Sequence, residues 1–558
     1  MRSGRLMTGF SRRSFLLAMG VGAAGVPLLD SQAFASTAGT TLDVTAAPIG
    51  AGGYRRLAAG PGWPTVVRSD LVQAKAGREA RRAALTSFVQ FSDMHICDAQ
   101  SPLRFEYLHP IMGSSAHRPQ ETLTAQGSTS LVKRVNAVRN GPLTGRPFDF
   151  LMTTGDNTDN HEHIELDWFL TVLNGGRITP NTGDSRYEGV QNAGISTFWQ
   201  PDLSGADDYK AKGFPQLQGL LDAAVREFSS PGLNIPWYAT IGNHDDSVVG
   251  ALPDGLLDSW YTGRKKIVGF GDPVQNAKVA KAFNDPKALP EALAIIANGG
   301  VVRTVTPDSR RRLFTTGEYV RKHLPTGGHG YTEANADGVD VFYTFRMAPG
   351  VTGISMDTTN LAGFSEGSIG LHQLNWIEKT LKRNSSLYYD WLGRPTRQNV
   401  TDELFVLFSH HTSKSMGNVL PDRRRPLDPR MNGDALVNLL HRFPNVLAWV
   451  NGHTHRNVIT PHRHDTPGRS FWEINTAAHV DYPQHARVIE VADNGDGTLS
   501  LFTTLLEADA PYQVDYDDRS DTAVASLCRE FTYNDIHSRT NPLGTPLDRN
   551  TELLVSVR

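Results

Sequence analysis

Five short stretches of the chain carry side chains able to do chemistry. Asp93 and His95 stand two residues apart in FSDMHICDAQ. Asp156 ends FDFLMTTGD, and Asn243 and His244 lie in IGNHD. His410 and His411 close LFVLFSHH, and His453 and His455 form an H-x-H pair in VNGHTH. Imidazoles and carboxylates are the common metal ligands. In extended chain, residues two apart point the same way, so D-x-H and H-x-H can each aim two ligands at one centre. Each fragment alone reads equally well as a loop, a turn or an ion pair. Together, in this order and each after an apolar run, they read as a metal site.

Such side chains need rigid elements behind them. FVQF, FDFLM, IPWYATI, VFYTFRM, GVTGISM, LFVLF and VLAWV are short apolar or β-branched runs ending in polar clusters. Continuous runs of that length are what strands buried on both faces look like. Between them, LVKRVNAVR, FPQLQGLLDAAVREF, LHQLNWIEKTL and DALVNLLHRF space their apolar residues as helices do. Strands alternating with helices, with function at the strand ends, predict a layered α/β sandwich.

The order of motifs resembles the calcineurin-like metallophosphoesterase superfamily. The pieces are DMH at Asp93–His95, GDNTD at Gly155–Asp159, GNHD at Gly242–Asp245, SHH at Ser409–His411 and GHTH at Gly452–His455. ISMDTTN and the later LHQLNWIEKTL are similar to the Asp-Thr strand end and Q-x-x-W helix of phosphodiesterase-like and purple-acid-phosphatase-like members. The resemblance covers about residues 86–490 and implies a four-layer α/β/β/α fold with long insertions. It implies that Asp93, His95 and His455 hold one metal, that Asn243, His410 and His453 hold a second, and that Asp156 bridges them. His410 is chosen over His411 because the family pattern puts the ligand first. The implied reaction is hydrolysis of a phosphodiester or phosphomonoester by a metal-bridging hydroxide, with the cations about 4 Å apart. His244 is the implied donor to the phosphate or general acid. Asp159 is the implied acid that orients it, with Asp245 as the local alternative. The purple-acid-phosphatase tyrosine position holds Asp159, so no tyrosinate–iron colour is expected. Manganese, iron or zinc suits this ligand set.

Other residues receive smaller roles. His161 and His163 are expected at the surface or behind the ligands. His479 either lines the pocket or is structural. Cys97 is read as a small buried hydrophobe. A catalytically silent protein that binds a phosphate ligand on the same scaffold is the competing reading, although no ligand position is missing. A metallo-β-lactamase-type site would need an acid and a histidine after GHTHRN, and both are absent.

The 558 residues are 39% hydrophobic and 20% charged, enough for a large core, and the net charge of −3 gives no field favouring nucleic acid. Length suggests roughly two to four domain-sized units, or one enzyme domain with insertions. Two cysteines, Cys97 and Cys528, exclude a disulfide framework and a cysteine zinc site. Free buried thiols are expected. Ser11–Leu16, SRRSFL, precedes an apolar Gly/Ala-rich segment and the A-x-A-like Ala33–Ala35. This arrangement looks like a twin-arginine signal peptide over residues 1–35, too short to span a bilayer. The expectation is an exported protein, secreted or in the cell envelope, that meets the twin-arginine machinery. Its mature chain has no transmembrane segment. Its substrate is a small-molecule, lipid or nucleotide phosphoester. The expected domains are a linker and N-terminal arm at 36–85, the catalytic domain at 86–510 with an insertion at about 246–340, and a C-terminal tail at 511–558.

Overall fold

The computed structural model describes residues 35–556 apart from 254, 256 and 539. The expected signal peptide, but for its last residue, lies outside the described residues. Thirteen strands build two large sheets. In chain order they are β1 (Val66–Arg68), β2 (Ala83–Phe91), β3 (Phe150–Thr154), β4 (Trp237–Thr240), β5 (Tyr343–Ala348), β6 (Val351–Ser355) and β7 (Leu404–Phe408). After them come β8 (Val446–Asn451), β9 (Val458–His462), β10 (Phe471–Asn475), β11 (Ala486–Asp493), β12 (Thr498–Leu506) and β13 (Thr551–Ser556). Sheet one runs β1-β13-β12-β11-β2-β3-β4, and sheet two runs β5-β6-β7-β8-β10-β9.

The sheets face each other. Phe88 meets Phe408 edge-on at 5.6 Å between ring centroids, and Phe150 meets Phe345 at 5.3 Å. Period-2 alternation divides β7 cleanly. Leu404, Val406 and Phe408 join the core shared with sheet one, and Phe405 and Leu407 join the core beneath the helices. Helices Thr124–Val138 and His163–Asn174 cover sheet one through Leu131, Val135, Leu166 and Phe169. Helices Leu371–Arg383 and Gly433–Leu440 cover sheet two through Ile377, Leu381, Leu436 and Leu440. The result is the mixed α/β fold with helices outside two apposed sheets.

The register explains why function collects at one edge. β2, β3 and β4 are parallel, with Phe91 beside Thr153 and Thr153 beside Ala239. β6, β7 and β8 are also parallel, with Ser355 beside Phe408 and Phe408 beside Val450. Parallel strands end on the same side, so the polar residues after each run converge. Gln90 ties the sheets there, donating from Nε2 to the Asn451 carbonyl at 2.9 Å.

Two expected boundaries are corrected. The 36–85 stretch is no linker: Val44–Pro48 pairs with Leu57–Pro61, and β1 pairs with β13. Residues 511–558 are no separate tail. Helix Asp521–Asn534 buries Val524, Leu527, Cys528 and Phe531, and β13 lies between β1 and β12. The helix is rich in small residues (Ala523, Ala525, Ser526), which hid its buried face from apolar periodicity. The 246–340 insertion carries helices Pro273–Lys281, Leu289–Ala297 and Thr316–His323, and its first half forms a second core with Phe105, Leu108 and Phe198. Both cysteines are buried and free. No helix among the described residues is long and apolar enough to cross a membrane.

Candidate metal centre

Asp93, His95, Asp156 and His455 bring one ligand atom each to within 4.8 Å of one another. His410, His411 and His453 form an adjoining group on the same criterion. Asp156 stands between the two groups: its Oδ2 lies 3.1 Å from His410 Nε2 and 3.5 Å from His95 Nε2, and its Oδ1 accepts the His244 backbone N–H at 2.8 Å. Asn243 lines a cavity together with His95, Asp156, His244, His453 and His455. Its amide donates to the Gly250 carbonyl at 2.9 Å, which leaves Oδ1 buried with no hydrogen-bond partner.

Three imidazoles share one pattern. His410 Nδ1 meets the Thr154 carbonyl at 2.8 Å, His455 Nδ1 meets Asp481 Oδ2 at 2.6 Å, and His95 Nδ1 meets Asp159 Oδ1 at 2.9 Å. Carbonyl and carboxylate oxygens only accept, so each Nδ1 carries a proton and each Nε2 is the nitrogen turned to the carboxylates of the centre. His455 Nε2 faces Asp93 Oδ1 at 3.2 Å, and His95 Nε2 has no hydrogen-bond partner at all. Lone pairs facing carboxylates in a buried site demand a cation between them. The nitrogen and oxygen donors, the orphaned Asn243 Oδ1 and the orphaned His95 Nε2 therefore fit metal ions.

The backbone is shaped for this purpose. Asp93, His95, Asp156, His453 and His455 all have positive φ, between 43° and 71°. Each such non-glycine residue costs of order 1 kcal/mol and persists because the surrounding structure fixes it. Gly155 is required beside them: at φ 88°, a Cβ there would lie 2.8 Å from both His410 Nδ1 and the Gly242 backbone.

Electrostatics divides the histidines. Burial, then the neighbouring His244, pushes His95 far below its ordinary range. Burial with His411 beside it does the same to His453, and burial takes His244 down to about 4. His410 is the exception. Burial opposes its charge, but the Asp156 carboxylate outweighs burial and raises it to about 9.

Several expectations change in detail. His244 Nδ1 meets the Asp159 backbone carbonyl at 2.7 Å, not the Asp159 carboxylate, which is turned to His95. Asp245 does not orient His244 either. Its carboxylate accepts from the backbone of Asn157, Thr158 and Gly242, and so pins the two loops together. His411 has both nitrogens engaged, Nδ1 with Thr358 Oγ1 at 2.9 Å and Nε2 with the Ser365 carbonyl at 3.0 Å. His161 is buried against Phe314, and His163 lies 3.6 Å from Glu318. His479 is buried outside the cavity lining.

Three residues at the centre escaped sequence reasoning: Asp481, Arg104 and Arg118. Asp481 carries His455, and Arg118 Nε donates to Asp481 Oδ1 at 2.6 Å. Arg104 pairs with Asp159 and, at 2.9 Å, with Glu121. An acid following the strand after GHTH was the available signal for Asp481. The two arginines sit in an irregular stretch with none.

Fold and site together define a layered α/β protein with a histidine–carboxylate metal centre at its parallel strand ends. The chain belongs to the calcineurin-like phosphoesterase family, whose family model matches residues 86–457, well over half of the 558 residues. It is accordingly a metal-dependent phosphoester hydrolase. Among solved structures it is similar to a dimetal phosphatase from Danio rerio, at 11% identity and a TM-score of 0.33, over 76% of this chain and 100% of that one. It is also similar to a purple acid phosphatase from yellow lupin (Lupinus luteus) seeds, at 9% identity and a TM-score of 0.31, over 83% of this chain and 55% of that one. A comparison with curated proteins finds no match.

Proposed function

We propose that the chain is an exported phosphoesterase with two metal ions. Asp93, His95 and His455 would hold one ion, Asn243, His410 and His453 the other, and Asp156 both. The observation that carries this reading is the shared orientation of His95, His410 and His455, each with Nδ1 tied down and Nε2 turned to a carboxylate of the centre. When bound, the ions supply Lewis-acid activation of the phosphate and of a water at neutral pH. Manganese, iron or zinc suits the donors.

The chain's own residues do the rest. Asp156 and Asn243 fix the ligand frame. His244 lines the cavity beside Asn243 with its Nδ1–H held by the Asp159 carbonyl. Its Nε2 donates to a phosphate oxygen or leaving group only as an imidazolium, so its proton arrives with the anion. Asp159 supports the reaction through His95 rather than through the His244 ring. The cavity holds about 700 Å³ and takes walls from the insertion, including Ala280 and Phe283, which supports a small organic phosphoester. Arg12 and Arg13 ahead of an apolar segment support export by the twin-arginine route and a place outside the cytoplasm.

Metal analysis of the purified mature protein is the test, alongside turnover of mono- and bis-nitrophenyl phosphate by Asn243→Ala and His244→Ala. Two metal equivalents and a loss of roughly a hundredfold or more in each variant are expected. A single equivalent, or unchanged turnover in both variants, sinks the proposal.

A further inference from the structure

The cavity at the metal centre has a wall that the metal ligands do not supply. Phe105 and Phe283 line it and meet edge-on at 5.4 Å between ring centroids. Met112 and Val249 line it too, and both pack on the core that holds those rings. This wall is therefore the outer face of the core built with the first half of the insertion. Ile111, 54% exposed, extends the apolar lining toward solvent.

Val249 is tied to the chemistry by its neighbours. It follows Asn243 and His244 on the turn 247–252, where the Val248 and Leu252 backbones exchange hydrogen bonds at 2.9 and 3.0 Å. Gly250 lies against the His244 ring: a Cβ there would come within 2.2 Å of His244 Cδ2. The Gly250 carbonyl accepts from the Asn243 amide. Val249 itself has φ 43°. A β-branched residue in that left-handed region is an outlier, and such strain collects at sites that hold ligands. Here the strained residue puts a half-buried apolar side chain in the cavity lining.

The cations of the lining are already matched. Arg104 pairs with Asp159 and Glu121, Arg118 with Asp481 and Asp159, and Lys281 with Asp285 at 3.4 Å. Outside the metal centre, the lining among the described residues leaves no unmatched cation for a second anionic group on the substrate. An apolar wall with its polar groups gathered at one end suits a ligand of the same build. We infer that Val249 is a specificity-determining residue which, with Met112 and Ile111, selects phosphoesters whose alcohol portion is apolar. This inference rests on the phosphoesterase reading above.

Butylphosphonate and aminopropylphosphonate share a head group and a chain length, and differ in the charge at the far end. Calorimetry of both on the manganese-loaded protein tests the inference without turnover. Wild type should prefer the butyl compound by about tenfold or more. Val249→Thr keeps the branched shape and replaces a methyl by a hydroxyl, so it should cut that preference by about threefold or more. Met112→Gln should do likewise. Val249→Gly removes the side chain, suits the left-handed backbone and so guards against a folding defect; it should also cut the preference. A wild type without the preference, or a preference that both Val249 variants keep in full, overturns the inference while the metal reading stands. A wild type that binds no manganese, or neither phosphonate, overturns the phosphoesterase reading itself.

Discussion

His410 Nε2 faces Asp156 Oδ2 across 3.1 Å, with the other His410 nitrogen already donating to Thr154. A bare imidazole nitrogen and a carboxylate do not sit that close without a positive charge between them. In the metal-free protein that charge is a proton. On the proposed two-metal reading, loading with metal replaces it.

This gives a signed pH dependence. The folded-state His410 is raised to about 9 by Asp156 against burial, from an ordinary 6.5. Its contribution, about 3 kcal/mol, is fully present below about pH 6.5 and lost as pH rises through about 9. Chelated protein should therefore show a falling urea midpoint between pH 6.5 and 9.5, and His410→Ala should flatten that fall. Metal-loaded protein should lack the His410 component, because the proton has left. A chelated wild type with the same slope as the variant refutes the assignment.

Adjacent histidines should behave oppositely. His411 is held by Thr358 and Ser365 at both nitrogens, so His411→Ala should keep both metal equivalents. His410→Ala should lose at least one. Elemental analysis of the two purified variants decides, and the reverse result would exchange their roles.

Asp481 fixes the tautomer of His455 at 2.6 Å. Asp481→Asn should weaken metal binding by about 10- to 100-fold while preserving the fold, read by competition with a chelator. Unchanged affinity would reduce the contact to packing.

The C-terminal segment should be indispensable. Phe531 is fully buried among Trp199, Phe214 and Leu527, and Phe531→Ala should cost about 3–5 kcal/mol. Deleting residues 551–558 removes the strand between β1 and β12 and should abolish soluble expression. A folded, active truncation would show that sheet one closes without it.

The strands and the ligand-bearing turns were legible because buried parallel strands leave apolar runs, and the turns follow them directly. Asp93, His95, Asp156 and Asn243 fell out of that rule. Asp481 and Arg118 did not, since loops are positioned by tertiary contacts that leave no period. Adjacent His410 and His411 were separated in the sequence by family pattern alone, and hydrogen-bond partners supply the physical difference, with both His411 nitrogens engaged. The same holds for Asp159, whose carboxylate serves His95 while its carbonyl serves His244. The helix at Asp521–Asn534 was missed because small residues bury as well as leucines do in tight packing.

The pairing of β1 with β13 joins Val66–Arg68 to Thr551–Leu553. Translation at about 5–20 residues per second separates those partners by roughly half a minute to a minute and a half. Through that interval β1 has no partner strand, and from Leu506 onward the edge of β12 that β13 will cover is open to mispairing as well. Sheet one, which carries Asp93, His95, Asp156 and Asn243 at the ends of its strands, therefore completes its strand order only once Thr551–Ser556 has been made. The sheet behind the candidate metal centre is thus closed by residues made long after the ones it carries.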